Sequence, residues 1–385
     1  MEAYITFVVP AYNKEKYIGD CLESLVNQTV LAHKIIVVND GSTDNTEDIC
    51  KKYAQKYADL IKYIYQDNKG LGGARNTGFS HVDTPYVIFL DSDDWMDIKF
   101  VEKFVNVLKD IKEYPDIIFT LPIPYDAVTH YYYDWKDKDC LHTIFGNSEK
   151  IISTNAKLNP DLYDLEVSAC RKVMKTSFLR QKEFLFPEHL KWEDIPGHFF
   201  LLHEANSCIA MQETGFYYRT NQGGSITDGT GKSRLDIIPI FKQLLSISEK
   251  SNFTILEQAH VYRLMLGFTK WFVESTNQEY IHPLLDQLHE LFCNINDDVV
   301  NDYLLHCSED SAYDLGYINS LKSEKYQQLS DYFYRGLFIS QNVPHPGRVK
   351  RTVHSIENRG IVKTLIIGLK KVKHKILSCL KKGGK

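Results

Sequence analysis

The chain has 385 residues, a formal charge of −5, 43% hydrophobic and 25% charged residues, which is long enough for a large core and two domains. Eight cysteines are scattered without paired or metal-ligand spacing, which excludes a disulfide framework and suits a reducing cytosol. No uninterrupted apolar run approaches a membrane span, and Met1-Glu2-Ala3-Tyr4 runs into apolar sequence without the charged and hydrophobic regions of a secretory signal, so neither is expected.

In chain order, Thr6 to Val9 (TFVV) is a short apolar run stopped by Pro10 and predicts a strand. Tyr17 to Val26 follows as a helix, with Ile18, Cys21, Leu22, Leu25 and Val26 at helical spacing. Ile35 to Val38 predicts a second strand leading into Asn39-Asp40-Gly41-Ser42-Thr43-Asp44, whose Ser, Thr and Asp suit the N-cap of a helix over Thr46 to Tyr57. Ile61 to Tyr65 is a third strand. Gly70-Leu71-Gly72-Gly73-Ala74-Arg75 then reads as a flexible loop presenting Arg75 and backbone N–H groups to an anionic ligand, ahead of a brief helix over Ala74 to Ser80. A dinucleotide fingerprint is excluded: Arg75 stands where the third glycine belongs, and the stretch does not follow the first strand.

Tyr86 to Leu90 reads as a buried strand after Thr84-Pro85, and it ends in Asp91-Ser92-Asp93-Asp94-Trp95. Open α/β sheets bind ligands at the carboxyl ends of their strands. Clustered carboxylates repel one another, so a hard divalent cation with phosphate on its far side is one resolution and a solvated acidic turn is the other. A helix over Ile98 to Lys109 and a strand over Ile117 to Thr120 follow. Alternating elements with continuous apolar strands imply a parallel sheet covered on both faces.

Pro122 to Asn159 mixes aromatic and polar residues, as either an acceptor-binding insertion or an edge hairpin would. Glu193-Asp194 precedes Phe199-Phe200-Leu201-Leu202 and so falls in the first turn of a helix, where acids commonly complement the dipole. Trp95 and Trp192 could offer flat faces to a sugar ring or pack in the core. His189, His198 and His203 are read as solvated or structural, with one of them an optional metal ligand.

Taken together, VVPAYNKEKYIGDCLESLVNQT, IIVVNDGSTDNT, QDNKGLGGARNTG and YVIFLDSDDW resemble, in order and spacing, the family 2 glycosyltransferases of bacterial cell-envelope type, over roughly Ile5 to Ser225. The resemblance implies an α/β GT-A nucleotide-sugar-binding fold with a mostly parallel central sheet and a smaller helical C-terminal region. It implies that Pro10, Ala11 and Tyr12 border the nucleoside, that Asp40 hydrogen-bonds the base, and that Arg75 contacts the nucleotide or its phosphates. Asp91 would face the ribose, with Ser92 among the donor-binding positions and Asp93 on a Mn²⁺ or Mg²⁺ ion; Asp94 receives no role. Asp194 would be the catalytic base, Glu193 would orient the acceptor, and Arg219, in the family's Tyr-x-Arg segment, would meet the diphosphate or an anionic acceptor. The expected reaction is inverting transfer of a hexosyl or N-acetylhexosaminyl unit from a nucleotide-sugar, UDP-linked by expectation, to a glycan or lipid-linked acceptor. The processive Gln-x-x-Arg-Trp motif is absent, which favours transfer of a single sugar. A non-catalytic carbohydrate-binding protein on this scaffold and a sugar nucleotidyltransferase are the alternatives, and no nucleic acid partner is expected.

Residues 1–230 are thus read as the catalytic domain and 231–343 as a helical domain, with helices over Leu235 to Ser246, Ile255 to Phe272, Ile281 to Phe292 and Val299 to Leu305. Residues 344–385 form a tail. Between Pro346 and Lys385, twelve Lys and Arg face the single acid Glu357, a charge of about +11 that leaves about −16 for the rest of the molecule. Ile361, Leu365, Leu369, Val372, Ile376 and Leu380 make an apolar stripe on one face of a basic amphipathic helix. Such a helix suits an anionic membrane surface, here the inner face of the cell membrane, with docking on the protein's own acidic body or on nucleic acid as alternatives. An oligomer is compatible with the sequence.

Overall fold

The computed structural model describes residues 4–330 except 32, 147–150 and 224–228. The basic tail expected at 344–385 lies outside the described residues.

The first part of the chain follows the expected alternation: β1 (Ile5–Ala11), α1 (Ile18–Val26), β2 (His33–Asp40), α2 (Thr46–Lys56), β3 (Ile61–Gln66), α3 (Gly70–Ser80) and β4 (Tyr86–Phe89). A two-residue β5 (Trp95–Met96) precedes α4 (Phe100–Asp110) and the long β6 (Ile117–Asp126). Every residue of β1 is buried because successive side chains feed opposite faces. Ile5, Phe7 and Val9 pack with Leu22, Leu25, Phe100 and Phe104 beneath α1 and α4, while Val8 joins Val38, Ala74 and Phe89 in the layer beneath α3. Parallel pairing of β1 with β2 and β4, and of β2 with β3, brings the carboxyl ends of all four strands to one edge.

The second half adds α5 (Lys138–Phe145), β7 (Lys172–Lys175), α6 (Thr176–Lys182), α7 (Asp194–Glu204) and β8 (Cys208–Thr220), completing an eight-stranded sheet in the order β3-β2-β1-β4-β7-β6-β8-β5. The sheet is mostly parallel, as expected, with antiparallel strands entering in this second half. β7 runs antiparallel to both β4 and β6, β6 and β8 are parallel, and β5 caps β8 antiparallel. The sequence Lys172-Val173-Met174-Lys175 conceals this strand because its lysines look solvent-facing. Lys172 is in fact buried, and its ammonium donates to the carbonyls of Val167 at 3.0 Å and Ser168 at 2.8 Å. The region after Pro122 continues β6 and then turns back, with Tyr132 bridging Tyr125 in antiparallel fashion.

Helices α8 (Ile237–Lys250), α9 (Ile255–Ser275), α10 (Gln278–Cys293), α11 (Asp297–Asp302) and α12 (Ser311–Lys322) complete the described chain, with a π turn over Tyr303–Cys307 where the last expected helix continues. α9 starts at a capping box between Thr254 and Glu257. These helices have no separate core: one buried cluster runs from Phe89 and Phe119 of the sheet through Ile195, Phe199 and Leu202 of α7 to Phe241, Met265, Leu285 and Ile318.

Candidate active site

The glycine-rich stretch is not a flexible loop; it is the first turn of α3, clamped against the segment that precedes α7. Gly70 adopts φ +76°, and a Cβ on Gly72 would stand 2.1 Å from the carbonyl oxygen of Pro187, an approach that only glycine allows. The amide of His189 donates to the Lys69 carbonyl at 2.8 Å. Asn76 exchanges two hydrogen bonds with the Phe186 backbone, both 2.9 Å.

That clamp points Arg75 inward. The guanidinium is fully buried, with Nη1 donating to Glu193 Oε1 at 2.7 Å and to Asp194 Oδ1, and Nη2 donating to Asp91 Oδ1 at 3.0 Å. It also lies 5.4 Å from the Phe186 ring. Burial opposes the charge, but Asp194, Asp91 and Glu193 outweigh it and keep Arg75 cationic. The guanidinium thus makes its contacts with the protein, not with open solvent.

The acid pair sits where α7 begins, Glu193 at the N-cap and Asp194 as the first helical residue. Burial raises both carboxyls above the ordinary range, mutual repulsion adds to the rise at Glu193, and Arg75 pulls both back down. Asp194 therefore titrates nearer to neutrality than a solvated aspartate. Trp192, immediately before the pair, adopts φ +68° and packs against Phe268, Trp271 and Phe272 with ring centroids 5.4 to 5.5 Å away. It is a core wedge fixing the start of α7, and the sugar-platform reading of this residue is corrected.

Beyond β4, the turn Asp91 to Asp94 closes through a 3.0 Å bond from the Asp94 amide to the Asp91 carbonyl. The side chains of Asp91 and Asp93 are 27% and 16% exposed. Asp93 Oδ2 accepts from Lys14 Nζ at 2.5 Å and from Gln222 Nε2 at 2.6 Å. Ser92 and Asp94 are buried. Asp94 Oδ1 accepts from the Arg219 amide at 2.8 Å, and its Oδ2 is buried with no hydrogen-bond partner. Burial, then Asp93 and Asp91, raise the Asp94 carboxyl well above its usual range, so it favours the protonated form. Asp91 and Asp93, both partly accessible carboxylates, are hard oxygen donors of the kind that suit Mg²⁺ or Mn²⁺.

Arg219, near the end of β8, is drawn onto this turn. Its Nε donates to the Asp93 carbonyl at 2.9 Å and its Nη2 to Asp20 at 3.1 Å, while its guanidinium lies 4.7 Å from the Trp95 ring and 4.9 Å from Tyr17. Trp95 also stacks on Tyr217 at 5.2 Å. Its ring is thus committed to Tyr217 and Arg219, which corrects the expectation of an open sugar platform there.

On the neighbouring strands, Asp40 is buried and its Oδ1 accepts from Gln66 Nε2 at 2.6 Å and from the Lys69 amide at 2.9 Å. Pro10 and Ala11 are buried at the end of β1, and Tyr12 beyond them is 48% exposed. The expected positions Pro10, Ala11, Tyr12, Asp40, Asp91, Ser92 and Asp93 thus all lie at the carboxyl edge of the sheet, and the Arg75 hub ties Glu193 and Asp194 to it. Lys14, Tyr17 and Gln222 were not anticipated; no spacing pairs a lysine in the first loop with an aspartate 79 residues later.

Of the three histidines, His189 is exposed at the clamp and the other two lie elsewhere. His198 is buried, bonds the Tyr163 carbonyl at 3.1 Å, and is kept neutral by burial, whereas His203 pairs with Glu257 at 2.8 Å. Among the described residues, the grouping of three ligands with metal-binding spacing is not the Asp91–Asp94 turn but Asp161, Asp164 and His260. Burial disfavours charge on His260, but its bond to Asp164 prevails and lifts the ring to about 9. With Arg263 on the second Asp164 oxygen at 2.5 Å, this is an ion-paired junction between a 3₁₀ turn and α9.

Residues 6–160 match the model of the family described as Glycosyl transferase family 2. Glycosyltransferase GlyA of Streptococcus pneumoniae is 30% identical over 273 residues, covering 68% of this chain and 37% of that protein. The poly(ribitol-phosphate) beta-glucosyltransferase of Bacillus spizizenii is 30% identical over 272 residues, 69% of this chain and 39% of that protein. The chain thus spans less than half the length of these relatives. Among solved structures, S. aureus TarS 1-349 in complex with UDP-GlcNAc superposes with a TM-score of 0.65 at 20% identity, covering 86% of this chain and 92% of that one. A mannosyltransferase from Pyrobaculum calidifontis in complex with GDP-Man and Mn²⁺ gives 0.50 at 14% identity, covering 87% and 86%. At such identities these likenesses are of fold.

Proposed function

Because this chain belongs to glycosyl transferase family 2 and has the GT-A fold, we propose that it moves a sugar from a UDP-linked donor to a hydroxyl of a cell-envelope glycan or polyol phosphate acceptor, with inversion. The observation that carries this reading is the Arg75 hub, which ties Asp91 on the donor side to the acid pair Glu193 and Asp194.

A sugar hydroxyl is a weak nucleophile, and a positioned carboxylate that accepts its proton during attack accelerates the step. Asp194 suits that role: its oxygen is fixed by Arg75, its side chain keeps 17% exposure toward the cleft, and its raised affinity for protons makes it a stronger base than a solvated aspartate. Glu193 was expected to orient the acceptor, but its side chain is only 4% exposed and bound to Arg75; from there it would orient Asp194 instead. The hydroxyl enters from the face opposite the nucleoside diphosphate, so a single displacement inverts the anomeric centre. Asp93 and Asp91 would hold a divalent cation, which supplies positive charge to the departing diphosphate. Asp40 and Tyr12 would flank the base and nucleoside. Arg75 acts behind the site, as the positioning group for three carboxylates, and Arg219 would reach the diphosphate only after leaving Asp20.

Uridine is favoured by the UDP complexes of TarS, and an envelope acceptor by the names of the curated relatives. No described helix is long and apolar enough to cross a membrane. Attachment through the basic stripe of 344–385 would place the enzyme peripherally on the cytoplasmic face, where lipid-linked acceptors are exposed. Calorimetric titration with UDP and GDP, each with and without Mn²⁺, tests the reading. Metal-dependent binding of UDP is expected, and binding of neither nucleotide would overturn it.

A further inference from the structure

We propose that Lys14 is a resident counter-ion of the metal-binding carboxylate: it occupies Asp93 until a divalent cation displaces it, and thereby makes metal binding depend on the nucleotide. The inference rests on the donor site proposed above and adds a residue that sets its metal affinity.

Three observations place Lys14 there. Its ammonium lies 2.5 Å from Asp93 Oδ2, with 27% of the lysine side chain and 16% of the aspartate exposed, so the pair is neither sealed in nor loosely solvated. Its backbone is fixed, the amide donating to Thr46 Oγ1 at 2.7 Å and the carbonyl accepting from the amides of Tyr17 and Ile18, both at 2.9 Å. The ammonium is therefore delivered from a rigid perch between α1 and α2. Finally, the same Asp93 oxygen accepts from Gln222 Nε2 at 2.6 Å, and the Gln222 carbonyl accepts from the Tyr17 hydroxyl at 3.4 Å. The Gln222 Oε1 is buried with no hydrogen-bond partner among the described residues, so the side-chain amide is held there through its Nε2 on Asp93.

An ammonium and a divalent cation seek the same carboxylate lone pairs and repel each other at contact distance. Cation entry at Asp93 therefore requires Lys14 to withdraw. With no nucleotide present, the withdrawn ammonium must move back into water, and metal binding is weakened by the loss of the ion pair. With a diphosphate in the site, the same ammonium gains phosphate oxygens as acceptors, and the penalty disappears. Lys14 thus couples the two ligands, and such a coupling is reciprocal.

The test is Mn²⁺ binding to the full-length protein, followed by the electron paramagnetic resonance of the free ion, with and without UDP, for wild type, Lys14→Met and Gln222→Met. Lys14→Met should tighten Mn²⁺ binding to the nucleotide-free protein by about tenfold, a change of about 1.4 kcal/mol. It should also shrink the factor by which UDP tightens Mn²⁺. A lysine with a merely structural role predicts weaker binding, the opposite sign. Unchanged or weakened Mn²⁺ affinity in Lys14→Met, with wild type still binding Mn²⁺ and UDP together, overturns the role of Lys14 and spares the donor site. Failure of wild type to bind either ligand overturns both. If Lys14→Met does not fold, reductive ¹³C-methylation of wild type supplies the second measurement. Saturating Mg²⁺ should shift the Lys14 dimethylamine resonance, assigned with Lys14→Arg, and an unmoved resonance refutes displacement.

Discussion

Replacing Arg75 with methionine tests the organisation of the site most directly. The substitution keeps an unbranched side chain of comparable length and removes the one cation that Asp91, Glu193 and Asp194 share. Deleting one partner of a buried ion pair typically costs about 3–5 kcal/mol. Arg75 is fully buried and Glu193 nearly so, so a loss of about 4 kcal/mol at about pH 8 is expected. The penalty must depend on pH. Burial already raises Glu193 and Asp194, and Arg75 is the largest of the influences that lower them. Without it, their folded-state proton affinities rise further above those of the unfolded chain. A carboxyl raised in this way contributes stability below its unfolded pKa and loses that contribution as pH rises through its folded pKa. The deficit of the variant should therefore be smaller at about pH 5.5, where Glu193 is protonated in both proteins, and larger at about pH 8, the value to which Glu193 is already raised in the wild type. Urea unfolding at both pH values, followed by tryptophan fluorescence, measures it, and Trp192 beside the acid pair is a local reporter. A loss below about 1 kcal/mol at pH 8, or an equal loss at both values, would refute the description of Arg75 as a buried counter-charge.

Asp194→Asn should lower the transfer rate by about 10²- to 10⁴-fold while calorimetric UDP affinity is retained; lost nucleotide binding with the rate preserved would remove Asp194 from the role of base. Because burial raises Asp194, the acid limb of the wild-type rate profile should fall at a pH above the ordinary carboxylate range, and a limb at ordinary aspartate pH would count against it. Gly72→Ala sets a methyl against the Pro187 carbonyl and should cost about 1–3 kcal/mol in urea unfolding; a neutral result would show that α3 is not clamped there. Truncation after Val343 should abolish cosedimentation with anionic liposomes at unchanged thermal stability, and retained sedimentation would dismiss the tail as an anchor.

Much of the sheet was legible because β1, β2 and β4 are uninterrupted apolar runs, and the acids after β4 announced a ligand edge. The organisation around Arg75 was not legible. Gly70 and Gly72 look locally like freedom, but they admit the backbone of His189 and Pro187, more than a hundred residues away, and no local pattern reports a contact of that range. β7 was hidden by lysines whose charge is satisfied by backbone carbonyls. Trp192 reads equally well as platform or core until α9 is packed over it. For the glycines and Trp192 the deciding partner lies far along the chain, so composition near the residue carries no trace of it; for Lys172 it lies four and five residues back, in irregular backbone that no periodicity marks.

The hub also bears on the order in which the protein is made. Arg75 leaves the ribosome with β1 to β4 and α1 to α4, yet two of its three carboxylates follow more than a hundred residues later. β4, moreover, has its outer edge covered only by β7. Until α7 emerges, the nascent half-sheet must either leave α3 undocked or enclose a cation that Asp91 alone offsets. We therefore expect translation to outrun stable folding up to about residue 200. A fragment ending before Glu193 should be cut by protease throughout its length, and a resistant one would show that the early strands fold unaided.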